Sequence, residues 1–259
     1  MLSQQPDKPV RTPALLPPSK GWKADLAAPR AVAHRTPQNA EYPLYRNDIY
    51  VEVPRHSFSF RGFGVLLLLL MLPACPPIAQ MTYRHVLSLN ITSLTIDILC
   101  MVAMSFTAMM AYRLDFSAPR NEPIRFNRAR QKVYAYNFKH CGWNPWGSWP
   151  VEIVAYEWSQ VRAELWARGA GEHYRCGTML AIVKPGTNEV IDRFPLIYNT
   201  LSEDPWLYVH TYMEKGPDAL PPFDTPRDPN ELVWYSPFRR WAPKVKWPED
   251  IDHESTTAP

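Results

Sequence analysis

The sequence predicts an α+β membrane protein: a transmembrane helical hairpin followed by a small antiparallel β barrel or sandwich closed by one helix. Three observations predict it. Two apolar runs, at 62–79 and 86–112, stand in an otherwise polar chain. From 123 to about 197 the hydrophobic period becomes two. A single amphipathic helical pattern then follows, over 202–216.

The first run centres on Val65, the leucines from Leu66 to Leu70, Met71 and Leu72. At about 1.5 Å per residue, 62–79 covers roughly 27 Å, enough for the hydrocarbon core of a bilayer. Pro73, Pro76 and Pro77 crowd its C-terminal end and are expected to bend or end the helix there. A leader of about sixty residues precedes it and a second apolar run follows directly. Both argue against a cleaved signal peptide. The second run, over 91–112, carries one charge, Asp97, and no polar stripe at helical spacing. It reads as a spanning helix. Asp97 falls in its outer third, where a carboxylate either reaches the outer headgroups or meets a partner.

Orientation follows from the cations near the helix ends. Arg46, Arg55 and Arg61 precede the first helix, and Arg113, Arg120, Arg125, Arg128, Arg130 and Lys132 follow the second. The connector, read as 80–90, holds only Arg84. Both termini are therefore expected in the cytoplasm, with the two helices forming a hairpin. The predicted organisation is a Pro-rich N-terminal tail (1–60), the hairpin (61–112), a cytoplasmic β-rich domain (120–216) and a Pro- and aromatic-rich extension (217–259). Of the 28 prolines, nine fall in 1–61 and nine in 216–259, so these ends are expected to lie outside the regular core.

Within the domain, Ile124 and Phe126 alternate with Arg125, and a polar turn at 127–130 leads into 132–138, the pattern of a β-hairpin. Residues 151–158 are rich in β-branched and aromatic side chains. Val161, Ala163, Leu165 and Ala167 alternate with Arg162, Glu164, Trp166 and Arg168, which predicts a sheet with one solvated face. Two further strands, 174–183 and 189–197, flank the turn Pro185-Gly186-Thr187-Asn188. The closing helix begins near Ser202, with Glu203 and Asp204 at its positive end and Pro205 in its first turn. Leu201 is placed to staple onto Trp206. Trp206, Val209 and Met213 form the apolar stripe, and Gly216 stops the helix. This architecture resembles that of bacterial pleckstrin-homology-like membrane proteins.

The stretches PIRFNRARQKVYAYNF and PWGSWPVEIVAYEW are similar to a family of uncharacterised proteobacterial membrane proteins with two N-terminal helices and a domain of unknown function. Genes of that family often lie near type VI secretion clusters. The resemblance implies an immunity or accessory role and transfers no site residue.

The candidate binding residues are a basic cluster and a tryptophan-rich loop. Residues 120–139 carry a net charge of +5, with Arg125, Arg128, Arg130 and Lys132 at its centre. Close to an inner leaflet each such charge favours anionic lipid by about 1 kcal/mol. Trp143, Trp146 and Trp149 recur every three residues, either as a partner or interfacial surface or as a cover for a small core. The stretch ELVWYSPFRRWAPKVKW is expected to dock on its own domain. No P-loop, G-x-S-x-G, H-E-x-x-H or G-x-G-x-x-G occurs, and the seven histidines are scattered. Cys141 follows His140 directly, and adjacent strand residues face opposite ways. The four cysteines have no metal-ligand spacing and read as unpaired thiols. The net charge of +3 is too small to argue for nucleic acid. No enzyme, metal or cofactor is expected. The expected function is that of a non-enzymatic membrane protein whose domain binds lipid or a protein partner, such as a toxin or secretion component. The alternative is a structural subunit of a membrane assembly.

Overall fold

The computed structural model describes residues 12–29, 31, 37, 43–55, 61–171, 174–223, 225–232 and 237–259. His34, His56, His173, Trp234 and Tyr235 lie outside the described residues.

Three short strands come before the apolar helices: β1 (Trp22–Asp25), β2 (Tyr45–Arg46) and β3 (Tyr50–Val53). Next α1 (Phe63–Met71), a 3-10 turn at Leu72–Ala74 and α2 (Cys75–Leu87) form one apolar rod. After a connector of residues 88–90, α3 (Ile91–Phe116) returns alongside it. The rod, Phe63–Leu87, and α3 are both long and apolar enough to cross a membrane. Leu66, Leu69, Leu70, Ile98 and Leu99 face outward, as lipid-facing side chains do.

The connector is thus shorter than the 80–90 expected from the sequence. Pro76 and Pro77 sit in the first turn of α2, where a missing N–H breaks no helical bond. The prolines therefore restart the helix and carry it through Arg84 to Leu87.

The remaining elements are β4 (Ile124–Asn127), β5 (Lys132–Phe138), β6 (Val151–Glu157), β7 (Val161–Arg168), β8 (Arg175–Val183), β9 (Val190–Tyr198), α4 (Asp204–Lys215) and α5 (Glu249–Thr256). The strands build two antiparallel sheets, ordered β2-β3-β4-β5-β6 and β1-β7-β8-β9. A 3-10 turn at Trp158–Gln160 carries the chain from one to the other. Both contribute to a single core: Val51, Ile124, Phe126 and Val133 from the first, Val161, Leu180, Ile182 and Leu196 from the second. Trp206, Val209, Tyr212 and Met213 of α4 join that core, and Gly216, at a φ of 91°, ends the helix.

The sheets do not close into a barrel. At the seam between β6 and β9, Tyr156 donates to Asp192 (3.0 Å) and its ring stacks on Phe194. The expectation that the N-terminal segment stands outside the core is also corrected. Its described prolines fall outside the strands, leaving β3 free to pair with β4 from Tyr50↔Asn127 to Val53↔Ile124. Segments before and after the helical pair therefore belong to one sheet. The middle of the predicted solvated face of β7 is covered too, while Arg168 at its end stays exposed. Glu164 and Trp166 are buried there; the Ser19 amide donates to Glu164, and Arg193 bridges from Glu164 to the Pro17 carbonyl.

Candidate functional site at the helix–domain junction

The chain enters and leaves the helical pair at the same end, and the junction there is polar and sealed. Asp115, in the last turn of α3, accepts from the Gly62 amide (3.0 Å) and the Val65 amide (2.8 Å), capping the start of α1. A carboxylate opposes the dipole at the end of its own helix, so its position is repaid by the N-terminus of the neighbour. Arg61 binds the α3 terminus from the other side, donating to the carbonyls of Asp115 (3.0 Å), Ala118 (2.9 Å) and Pro119. Burial draws its guanidinium down to about 10, so it stays charged at neutral pH. Gly62 holds a φ of 100°, and a Cβ there would strike the Phe238 ring. Gly64 brings α1 against α3 so closely that a Cβ would stand 2.5 Å from the Ala111 carbonyl oxygen.

A second tie lies within the domain. Arg55 is buried and donates to the carbonyls of Glu122 (2.6 Å), Tyr136 (2.7 Å) and Pro195 (3.3 Å) and to the Asn137 side chain (2.8 Å). It joins β5 of one sheet to β9 of the other. Desolvation lowers its pKa, with Glu122 opposing. Arg46 likewise turns inward, to the Tyr208 hydroxyl (2.7 Å) and the Pro221 carbonyl (3.0 Å).

The tryptophan loop, 139–150, connects β5 to β6 and runs along α3. Asn144 fixes its turn by accepting from the amides of Trp146 (3.2 Å) and Gly147 (3.0 Å). Trp149 folds inward on Ala118 and Phe138, and Arg113 stacks 4.8 Å from its ring while donating to the Gly147 carbonyl (2.6 Å). Trp143 and Trp146 point outward, 79% and 60% exposed.

The four basic candidates are gathered at β4 and the start of β5, three of them beneath α5. Arg125 pairs with Asp252 (2.6 Å) and Glu52 (3.3 Å) and lies 4.5 Å from the Trp247 ring. Arg130 donates to the carbonyls of Thr257 (3.0 Å) and Ala258 (2.7 Å), and Asn127 to those of Ser255 (3.1 Å) and Thr257 (2.9 Å). These carbonyls, at the end of α5, have no helical donors of their own. Lys132 pairs with Glu254 (2.9 Å), and Arg128 lies beside Gly216. Described residues of the C-terminal stretch also pack on their own chain: Trp241 against Phe116 and Phe238, and Trp247 against Tyr136.

The Lys132–Glu254 contact sets a pH window for α5. Lys132 is raised by its bond to Glu254, so its contribution is present below 10.5 and is lost as pH rises through the higher folded value. Glu254 is lowered by Lys132 and Tyr134, so its contribution is present above 4.5 and is lost as pH falls through the lower folded value. Arg125, Arg130 and Asn127 also hold α5, so a fluorophore at His253→Cys should show its highest anisotropy within that interval and a modestly lower one outside it.

Asp97 does not reach outward. It is buried in the helical pair and meets the Nδ1 of His85 at 2.7 Å. Polar contacts between membrane helices average about 0.6 kcal/mol and reach about 1.7. His85→Ala should lower the SDS-unfolding stability of the pair within that range, and His85→Asn should restore part of the loss.

Sequence reasoning missed Arg55, Arg61 and Asp115 as binding side chains, and His85 as the partner of Asp97. A signal for Asp115 existed: an acidic residue at a helix C-terminus is out of place unless a neighbour supplies donors. Among the described residues no group of three or more His, Cys, Asp or Glu side chains could hold a metal ion, and all four cysteines are free. A family of unknown function (DUF6708) matches residues 101–259. No curated protein and no solved structure matches the chain.

Proposed function

The chain belongs to DUF6708, a family of unknown function whose match covers more than half its length, and we propose that it is a non-enzymatic inner-membrane protein whose domain binds a protein or lipid partner at the cytoplasmic face. The pairing of β3 with β4 across the helical pair carries this reading. A domain threaded on one helix can swing away from the bilayer. One built from the segments on both sides of two helices, and bolted by Arg61 and Asp115, stays against it. The cations flanking the pair support the cytoplasmic side. The likeness to pleckstrin-homology-like membrane proteins is proposed for role alone, a folded domain kept at a bilayer to bind. The immunity or accessory role beside a type VI secretion system rests on the sequence resemblance alone.

The surface offered to a partner lies where β6 and β9 end their sheets, with Val151 and Ile191 exposed. A photo-crosslinking residue at each position, in cells that express the chain natively, tests this. Discrete adducts with one other protein are expected. Adducts with further copies of the chain would favour the structural subunit. One observation supports that second reading: an apolar cleft of about 370 Å³ between the helices, lined by Leu68, Met71, Ile78, Met104 and Ala108. Side chains from a helix of a neighbouring subunit would fill it.

A further inference from the structure

We infer that the tip of the β5–β6 loop is seated in the lipid bilayer, with the indoles of Trp143 and Trp146 among the headgroups and upper acyl chains on the domain's side. The inference rests on the reading that α1–α3 span the membrane. Trp146 packs against Phe106 of α3, their ring centroids 5.8 Å apart. Phe106 lies seven residues deeper in α3 than Arg113, about 10 Å of helix rise toward the apolar middle. Arg113 marks the polar boundary and also grips the loop, through Gly147 and Trp149. The loop is thus pinned at the boundary, and its tip continues past it.

The chemistry along the loop changes in the same direction. At its base Lys139 pairs with Glu152 (3.1 Å), both half in water. At its tip stand two exposed indoles, on a turn that Asn144 holds rigid. Indole combines an apolar body with one N–H donor, which suits the zone where acyl chains meet headgroups. A soluble partner cannot approach at the level of Phe106, because lipid surrounds the helix there. The bilayer is therefore the occupant, and the loop adds a third anchor to the two helices.

None of the ten tryptophans lies within α1–α3, so a quencher inside the bilayer reports on the domain alone. The full chain is reconstituted in vesicles of phosphatidylcholine and phosphatidylglycerol brominated on the upper acyl chain. Bromolipid is expected to quench the wild type, and Trp143→Phe with Trp146→Phe to remove most of the quenchable emission. Trp241, beside Phe116, accounts for the remainder. The near-ultraviolet dichroism of the Trp158–Trp206 pair, 5.3 Å apart, confirms that the variant is folded. Quenching that is unchanged in a folded variant resisting carbonate extraction would overturn the loop placement and leave the spanning reading intact. Release of the wild-type chain by carbonate would overturn the spanning reading, and the loop placement with it.

Discussion

Replacing Arg55 with methionine is expected to lower stability by about 3–5 kcal/mol, a large part of the 5–15 kcal/mol that holds a typical domain together. The guanidinium serves Glu122, Tyr136, Asn137 and Pro195 at once. Methionine fills the volume but leaves those buried acceptors without donors, each an uncompensated desolvation cost. The melting temperature of the detergent-solubilised protein should fall by roughly 10 °C. Arg55→Lys should lie between, because an ammonium keeps the charge and loses the planar fork. A melting temperature within a degree or two of the wild type would show that the two sheets do not depend on this tie.

The second large effect is expected at Gly64. A Cβ there meets the Ala111 carbonyl oxygen at 2.5 Å and an Asp115 carboxylate oxygen at 2.7 Å, so one of the two helices must move. Gly64→Val adds further bulk against the same backbone. Overpacking costs on the order of 1–3 kcal/mol, and displacing Asp115 also uncaps α1. The midpoint of SDS unfolding should drop well below that of the wild type. Leu69→Val, on the outward face of the same helix, should leave it nearly unchanged. Equal midpoints for the two variants would mean that α1 and α3 are not packed through Gly64.

Much of the domain was legible because its patterns are local. Alternation marked β4, β5 and β7, residue type marked β6, the turn at 185–188 marked β8 and β9, and the 3.6-residue period marked α4, since each signal is local. The strands of the N-terminal segment were not legible. β3 has four residues, and its partner β4 lies beyond both helices, so nothing near Tyr50–Val53 announces the pairing. The basic cluster shows the same limit. Arg125 stands opposite Ile124 and Phe126 on its strand and so must face away from the core. Its neighbour there, the acidic α5, comes from the far end of the chain. Asp97 was visible as a lone charge in an apolar run. His85 was not visible as its partner, because the register of two antiparallel helices depends on where the first one ends. Of the loop tryptophans, spacing grouped all three. Only the fold divides them, with Trp149 drawn in by Arg113 and its two neighbours left outside.

If the two helices cross the membrane as a hairpin, the one domain built from both flanking segments lies on a single side. Accessibility of introduced cysteines in sealed vesicles of opposite orientation measures this arrangement. Ser88→Cys lies in the connector of 88–90 and Thr187→Cys in the exposed β8–β9 turn. A membrane-impermeant maleimide should label position 88 only in right-side-out vesicles and position 187 only in inverted ones, above the background of Cys141. Labelling of both positions from the same side would contradict the hairpin and the membrane-held domain together.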